Sequence, residues 1–118
     1  INGSKILLVG MSYKENISDL RESPSIDIYE LLKKYNANVD YCDPLISEFN
    51  DSHNNTIRSI SLNYDLFNHY DIVVLLSVHE IFDKKLIIKN SNYILDTKNA
   101  MKEFNNNNVI KKLGFVNS

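Results

Sequence analysis

Three cations in this sequence stand where a phosphate could be met. Lys14 and Arg21 lie in the polar stretch after the first apolar run, and Lys98 follows Asp96 at the end of another. By position alone Lys14 and Arg21 admit two readings: solvated loop charges, or cations meeting a phosphate beside helix-terminal amides. Tyr13 either packs against a nucleotide base or wedges the loop. Gly10-Met-Ser-Tyr-Lys lacks the second and third glycines that let a backbone approach a pyrophosphate, so a self-contained dinucleotide site is not expected. Asp43 stands where classical dinucleotide folds place a ribose-binding acid, but it precedes Pro44 and reads as a turn former. Cys42 has the chemistry of a nucleophile, yet it sits in an expected buried strand and reads as structural. His53, His69 and His79 show no paired metal spacing, and His79 is at most a site-lining or loop-ordering residue. No catalytic residue and no metal site is expected in this chain.

The elements that must position these groups alternate. Lys5 to Gly10 is a short apolar run closed by glycine, the pattern of a strand buried on both faces of a parallel sheet. Ser23-Pro24 predicts a helix start, with serine capping and proline holding a helical φ. Ile26, Tyr29, Leu32 and Ile28, Leu31, Tyr35 then paint a wide apolar stripe that ends near residues 33 to 36. Asn38 to Cys42 reads as a second strand stopped by Asp43-Pro44. A surface loop is expected over 47 to 56, a short strand over 57 to 62 and a helical segment over 64 to 70. Asp71 to Ser77 is the clearest central strand; a helix over 80 to 88 and a strand over 93 to 96 follow. The asparagine tract within 103 to 108 reads as a connection, and the apolar pattern resumes over 109 to 116. Strands alternating with helices favour a doubly wound sheet whose ligands sit beyond the strands' carboxyl ends, near residues 10–24, 77–82 and 96–99.

Composition narrows the classes. At 118 residues, 43% of them hydrophobic, one domain spanning 1–118 is expected. Thirteen basic against fifteen acidic residues supply no field for gripping a nucleic acid or an anionic membrane. One cysteine excludes an internal disulfide, and no apolar run approaches bilayer length, so the cytoplasm is the expected location. The chain opens Ile1-Asn-Gly-Ser4 without methionine and runs almost directly into a strand, which points to a piece of a longer polypeptide.

The stretch Lys5-Ile-Leu-Leu-Val-Gly-Met-Ser-Tyr-Lys-Glu-Asn-Ile-Ser-Asp-Leu-Arg-Glu-Ser-Pro-Ser resembles, without a gap, the G-[LM]-[AS]-[FY]-K-x-(N/D)-x-x-D-x-R-E-S-P block of the UDP-glucose/GDP-mannose dehydrogenase family, C-terminal domain. The resemblance continues through Tyr41 to Pro44, through Tyr70 to His79 with Phe82, and through Leu95 to Asn99. It implies a three-layer, Rossmann-like α/β sandwich with a mainly parallel sheet. It also implies half of a cleft: an N-terminal domain of the same chain holds NAD, a central helical region makes a homodimer or higher oligomer, and this domain holds the UDP of a UDP-sugar. On that pattern Lys14 touches the substrate side of the closed site, Arg21 reaches the cofactor's phosphates, and Asp96, Lys98 and Asn99 help hold the nucleotide sugar. Lys98 stands where many relatives use arginine, which keeps the charge and loses the bidentate fork.

The family oxidises C6 of the sugar to the acid in two hydride transfers to NAD, through a cysteine outside this segment, so the piece alone is expected to be inactive. The implied role is in surface polysaccharide or capsule biosynthesis, with UDP-N-acetylmannosamine or UDP-glucose as substrate. The alternative is a stand-alone α/β nucleotide-binding module without catalysis. A flavodoxin-like domain is disfavoured, because strand one ends in neither an acidic cluster nor a flavin phosphate loop.

Overall fold

A run of apolar residues can be buried on both faces only if helices cover both sides of the sheet it joins. The computed structural model describes residues 3–12, 16, 23–97, 100–101 and, for the backbone alone, 110–112. In it, β1 (Lys5–Val9) has four consecutive buried residues and lies inside the sheet, with a strand on each side. β2 (Asn38–Cys42) and β5 (Ile72–Leu75) pair with it on either side, both parallel, with Leu8 opposite Tyr41 and Val74. β6 (Ile94–Asp96) and β7 (Ile110–Lys112) continue beyond β5, also parallel. The five strands lie in the order β2-β1-β5-β6-β7.

Alternate side chains build two cores. Leu7, Val9, Val73, Leu75 and Ile94 face one side, where Phe67 and Ile87 cover them from a 3₁₀ helix (Tyr64–His69) and from α2 (Lys84–Asn90). Ile6, Leu8, Val39, Tyr41 and Val74 face the other, under Tyr29 of α1 (Ser25–Lys34). This is the expected three-layer α/β sandwich. Each fully buried aliphatic side chain contributes about 1.5–3 kcal/mol relative to exposure.

Local chemistry moved some boundaries. The expected 47–56 loop is instead the first half of an antiparallel hairpin, β3 (Glu48–Asn50) and β4 (Thr56–Arg58), with Phe49 buried against Tyr29 and Tyr41. Its turn is organised by Asp51, whose carboxylate accepts the backbone N–H of His53 and Asn55 at 3.0 and 2.8 Å. The expected strand over 57–62 shrinks to Thr56–Arg58 for the same reason. The helix expected from residue 80 starts at Lys84, because the Asp83 carboxylate accepts from Leu86 N–H and fixes the N-cap there. On α1 the stripe is narrower than the periodicity indicated: Tyr29 is buried, whereas Leu31 and Tyr35 are more than half exposed. Pro24 holds the N-cap position, while the Ser23 hydroxyl accepts the first helical N–H, that of Ser25, at 3.2 Å and donates to the Met11 carbonyl at 2.7 Å, tying the helix start to the end of β1.

β2 is an edge strand of the main sheet, yet its outer side is occupied. Ile60 N–H donates to the Tyr41 carbonyl at 2.9 Å, and Asp43 N–H donates to the Ser59 hydroxyl at 2.9 Å. The asparagine tract within 103–108 lies outside the described residues.

Candidate functional site at the carboxyl edge of the sheet

From β1 the chain crosses to β2 on one side, and after the hairpin it crosses back to β5 on the other. The strand order therefore reverses between β1 and β5, and their carboxyl ends form the switch point at which open α/β sheets bind ligands. Gly10 and Ser77 meet there. Gly10 takes φ +81°, and a Cβ built on it would lie inside the van der Waals envelope of the Ser77 carbonyl oxygen. Only glycine fits. Leu76 and Ser77 both donate N–H to the Val9 carbonyl, at 2.9 and 3.1 Å, and the Ser77 hydroxyl donates to the Ser12 carbonyl. That space is filled by the protein's own backbone, so the glycine is required here by the close approach of the chain at Ser77.

Asp43 ends β2 beside this junction, and nothing of it is exposed. One carboxylate oxygen accepts Leu45 N–H at 2.9 Å, the turn-forming bond anticipated for an Asp-Pro step. The other accepts Met11 N–H at 2.8 Å and faces Nε2 of His79 at 3.1 Å. Both oxygens are thus engaged, and neither is left for a ribose. NAD consequently does not fit the described part of this domain in the classical manner.

His79 is 1% exposed and stacks on Phe82 with ring centroids 5.8 Å apart. Its Nδ1 accepts Asn16 N–H at 2.6 Å, while the Asn16 side-chain oxygen accepts Glu80 N–H at 2.8 Å. The sequence pattern admitted His79 as a loop-ordering residue. It gave no sign that Asp43 and Asn16 complete the arrangement, 36 and 63 positions away.

Asp96 is buried at the end of β6, and its two oxygens accept the N–H groups of Ala100 and Met101 at 2.9 and 2.8 Å. Its carboxylate shapes the chain immediately past the strand. Thr97 is tied to β5 through its hydroxyl, which donates to the Leu75 carbonyl at 2.6 Å. Tyr13, Lys14, Arg21, Lys98 and Asn99 lie outside the described residues. Their described neighbours, Ser12, Asn16, Ser23, Thr97 and Ala100, follow β1, precede α1 or follow β6, so the chain enters and leaves these segments beside the carboxyl ends of the strands.

The electrostatics separate this edge from nucleophilic chemistry. Burial, and then the neighbouring charge of Asp43, push the Cys42 thiol up to about 12. A thiol in that environment is not a thiolate at neutral pH. The Tyr41 hydroxyl is likewise raised, first by burial and then by Asp43, and it donates to the Ile46 carbonyl. Among the described residues no group of three His, Cys, Asp or Glu side chains is placed to hold a metal. A recess of about 710 Å³ lies between α1 and the hairpin, lined among others by Tyr29, Lys33, Asp51 and His53. None of the switch-point residues lines it, so the ligand reading rests on the strand ends.

Comparison with known proteins agrees with this geometry. Residues 7–103 match the model of the UDP-glucose/GDP-mannose dehydrogenase family, UDP binding domain. The chain is 34% identical, over 98% of its length, to a UDP-N-acetyl-D-mannosamine dehydrogenase of Methanococcus vannielii, and covers 26% of that protein. It is 33% identical to a UDP-N-acetyl-D-glucosamine 6-dehydrogenase of Pseudomonas aeruginosa over 70% of the chain and 19% of that protein. Among solved structures, the UDP-N-acetyl-mannosamine dehydrogenase of Staphylococcus aureus superposes with a TM-score of 0.61 at 28% identity, over 84% of this chain and 23% of that one. An NDP-N-acetyl-D-galactosaminuronic acid dehydrogenase from Methanosarcina mazei shares the fold, with a TM-score of 0.69 at 23% identity, over 94% of this chain and 24% of that one. The chain thus spans about a quarter or less of the length of the relatives it matches. Its parallel sheet and the family pattern running across its carboxyl edge lead to one conclusion: the chain belongs to the UDP-glucose/GDP-mannose dehydrogenase family, as its UDP binding domain.

Proposed function

We propose that this chain is the UDP-holding C-terminal part of an NAD-dependent UDP-sugar 6-dehydrogenase, which oxidises the C6 alcohol of a UDP-sugar to the uronic acid in two hydride transfers. The observation that carries the reading is the family match across residues 7–103, which includes every strand end at the switch point. UDP-N-acetylmannosamine and UDP-glucose are the candidate sugars, because relatives carrying both names match. Lys14, Tyr13, Asp96, Lys98 and Asn99 form the substrate side of the site. Asp96 acts by shaping the chain after β6, since both its oxygens receive backbone N–H groups.

NAD supplies the hydride acceptor and is held mainly by an N-terminal domain, with Arg21 reaching its phosphates from this side. The missing second and third fingerprint glycines and the engaged Asp43 support that division. The isolated chain is then inactive. Full length, the enzyme works in the cytoplasm as a homodimer or higher oligomer, in surface polysaccharide synthesis, with neither nucleic acid nor membrane as partner. No helix among the described residues is long and apolar enough to cross a membrane.

Calorimetric titration of the chain with UDP, and with UMP and NAD as controls, tests the assignment. Binding of UDP with little response to NAD is expected. A response to NAD that exceeds the response to UDP would overturn the division of ligands. In the full-length enzyme, Lys14→Ala should raise the KM for the UDP-sugar and Arg21→Ala the KM for NAD; equal effects on both constants would refute these separate roles.

A further inference from the structure

We infer that His79 is a positioning residue: held by Asp43 as the neutral Nε2–H tautomer, it splints Asn16, between β1 and α1, to the end of β5, and nucleotide binding at this edge depends on that splint. The inference deepens the proposed function and rests on it for the identity of the ligand.

The tautomer follows from the partners. Asn16 N–H can only donate, so the Nδ1 it meets at 2.6 Å must carry the lone pair. Nε2 then carries the proton and donates to the Asp43 carboxylate at 3.1 Å. The ring is 1% exposed and stacked on Phe82, so its orientation is set by packing as well as by its two bonds. Asn16 is bound from both sides, since its own side chain accepts Glu80 N–H, and it takes φ +63°. The same carboxylate oxygen of Asp43 also accepts Met11 N–H. One buried oxygen therefore holds the start of the segment directly and Asn16 through the imidazole. Protonation of Nδ1 would replace an acceptor by a donor pointing at a donor, and the splint would open.

The test uses the full-length enzyme for binding and kinetics, and amide exchange with ring-nitrogen NMR for the splint. The Nε2–H tautomer is expected for the His79 ring, with Asn16 N–H protected from exchange. His79→Phe keeps the stacking ring but removes both bonds; it should lose Asn16 protection and raise the KM for the UDP-sugar about tenfold. His79→Gln can offer one donor and one acceptor without titrating, and should restore both readouts. Asp43→Asn must turn its NH2 either toward Nε2 and Met11 N–H or toward Leu45 N–H, a donor against a donor in both cases, and should loosen the splint while leaving the ring in place. An Nδ1–H tautomer, or unchanged protection and KM in a folded His79→Phe, would overturn the inference. If wild type shows the tautomer and protection but binds neither UDP nor UDP-sugar, the proposed function falls and the ligand dependence with it, while the splint itself stands.

Discussion

Two aspartates in this domain do the same local job in opposite surroundings. Asp51, at the hairpin tip, and Asp43, at the end of β2, each gather backbone N–H groups on a short turn. Asp51 does so at the surface, where hydrogen bonds from Asn55 come first among the causes that hold its carboxyl below the usual range. Asp43 does so with no exposed surface, and adds a histidine that reaches another strand. The difference teaches where a turn becomes a site. In water the alternative partner for a carboxylate is solvent, and the net gain is small; in the interior there is none, and every donor it holds depends on it.

That contrast breaks most sharply at Asp43→Ala, which strands two backbone donors and His79 in the interior. A loss of about 3–5 kcal/mol is expected by denaturant unfolding of the chain. A loss comparable to that of an exposed turn residue would mean that water reaches the site. Next comes Gly10→Ala, which forces a side chain into the left-handed region and against the Ser77 carbonyl, costing about 2–4 kcal/mol in the same assay.

A third comparison uses Cys42 as a reporter. Its thiol should not react with a small disulfide reagent at pH 8 in the native chain, and should react on unfolding. Asp43→Asn should lower its pKa by removing the neighbouring charge; no change would show that desolvation alone raises it. The smallest effect belongs to Asp51→Asn. Because the folded-state pKa of Asp51 is depressed, its contribution is present above the ordinary value of 3.8 and lost as pH falls through the lower folded value. Melting curves of variant and wild type should therefore differ slightly at neutral pH and converge in strong acid.

The strands that place the site were legible because burial on both faces leaves continuous apolar runs, as in Ile6 to Val9 and Ile72 to Leu75. Features made by one side chain on a turn were less legible. Asp83 moves the start of α2, and Asp51 turns an apparent loop into a hairpin, yet either residue in isolation reads as an ordinary polar surface position. Leu31 and Tyr35 continue a helical period that the neighbouring elements do not reach, so periodicity overstated the buried face of α1. At the site, Asp43 was legible as a turn former. Its bond to His79 was not, because only the crossing of the chain from β2 to β5 brings the two together. Position alone singled out the cations Lys14, Arg21 and Lys98 as phosphate candidates, whereas their separate roles, and Asn99, came through the family pattern.

The segment lying along β2 also bears on how copies of this domain can meet. An edge strand with free N–H and carbonyl groups invites another chain to add to the sheet. Here Ile60 already engages Tyr41 of β2 and Ser59 engages Asp43 just past it, so a strand arriving at this end of the border must first displace them. Around Tyr41 and Asp43 a neighbour can reach the ladder only by moving that segment aside.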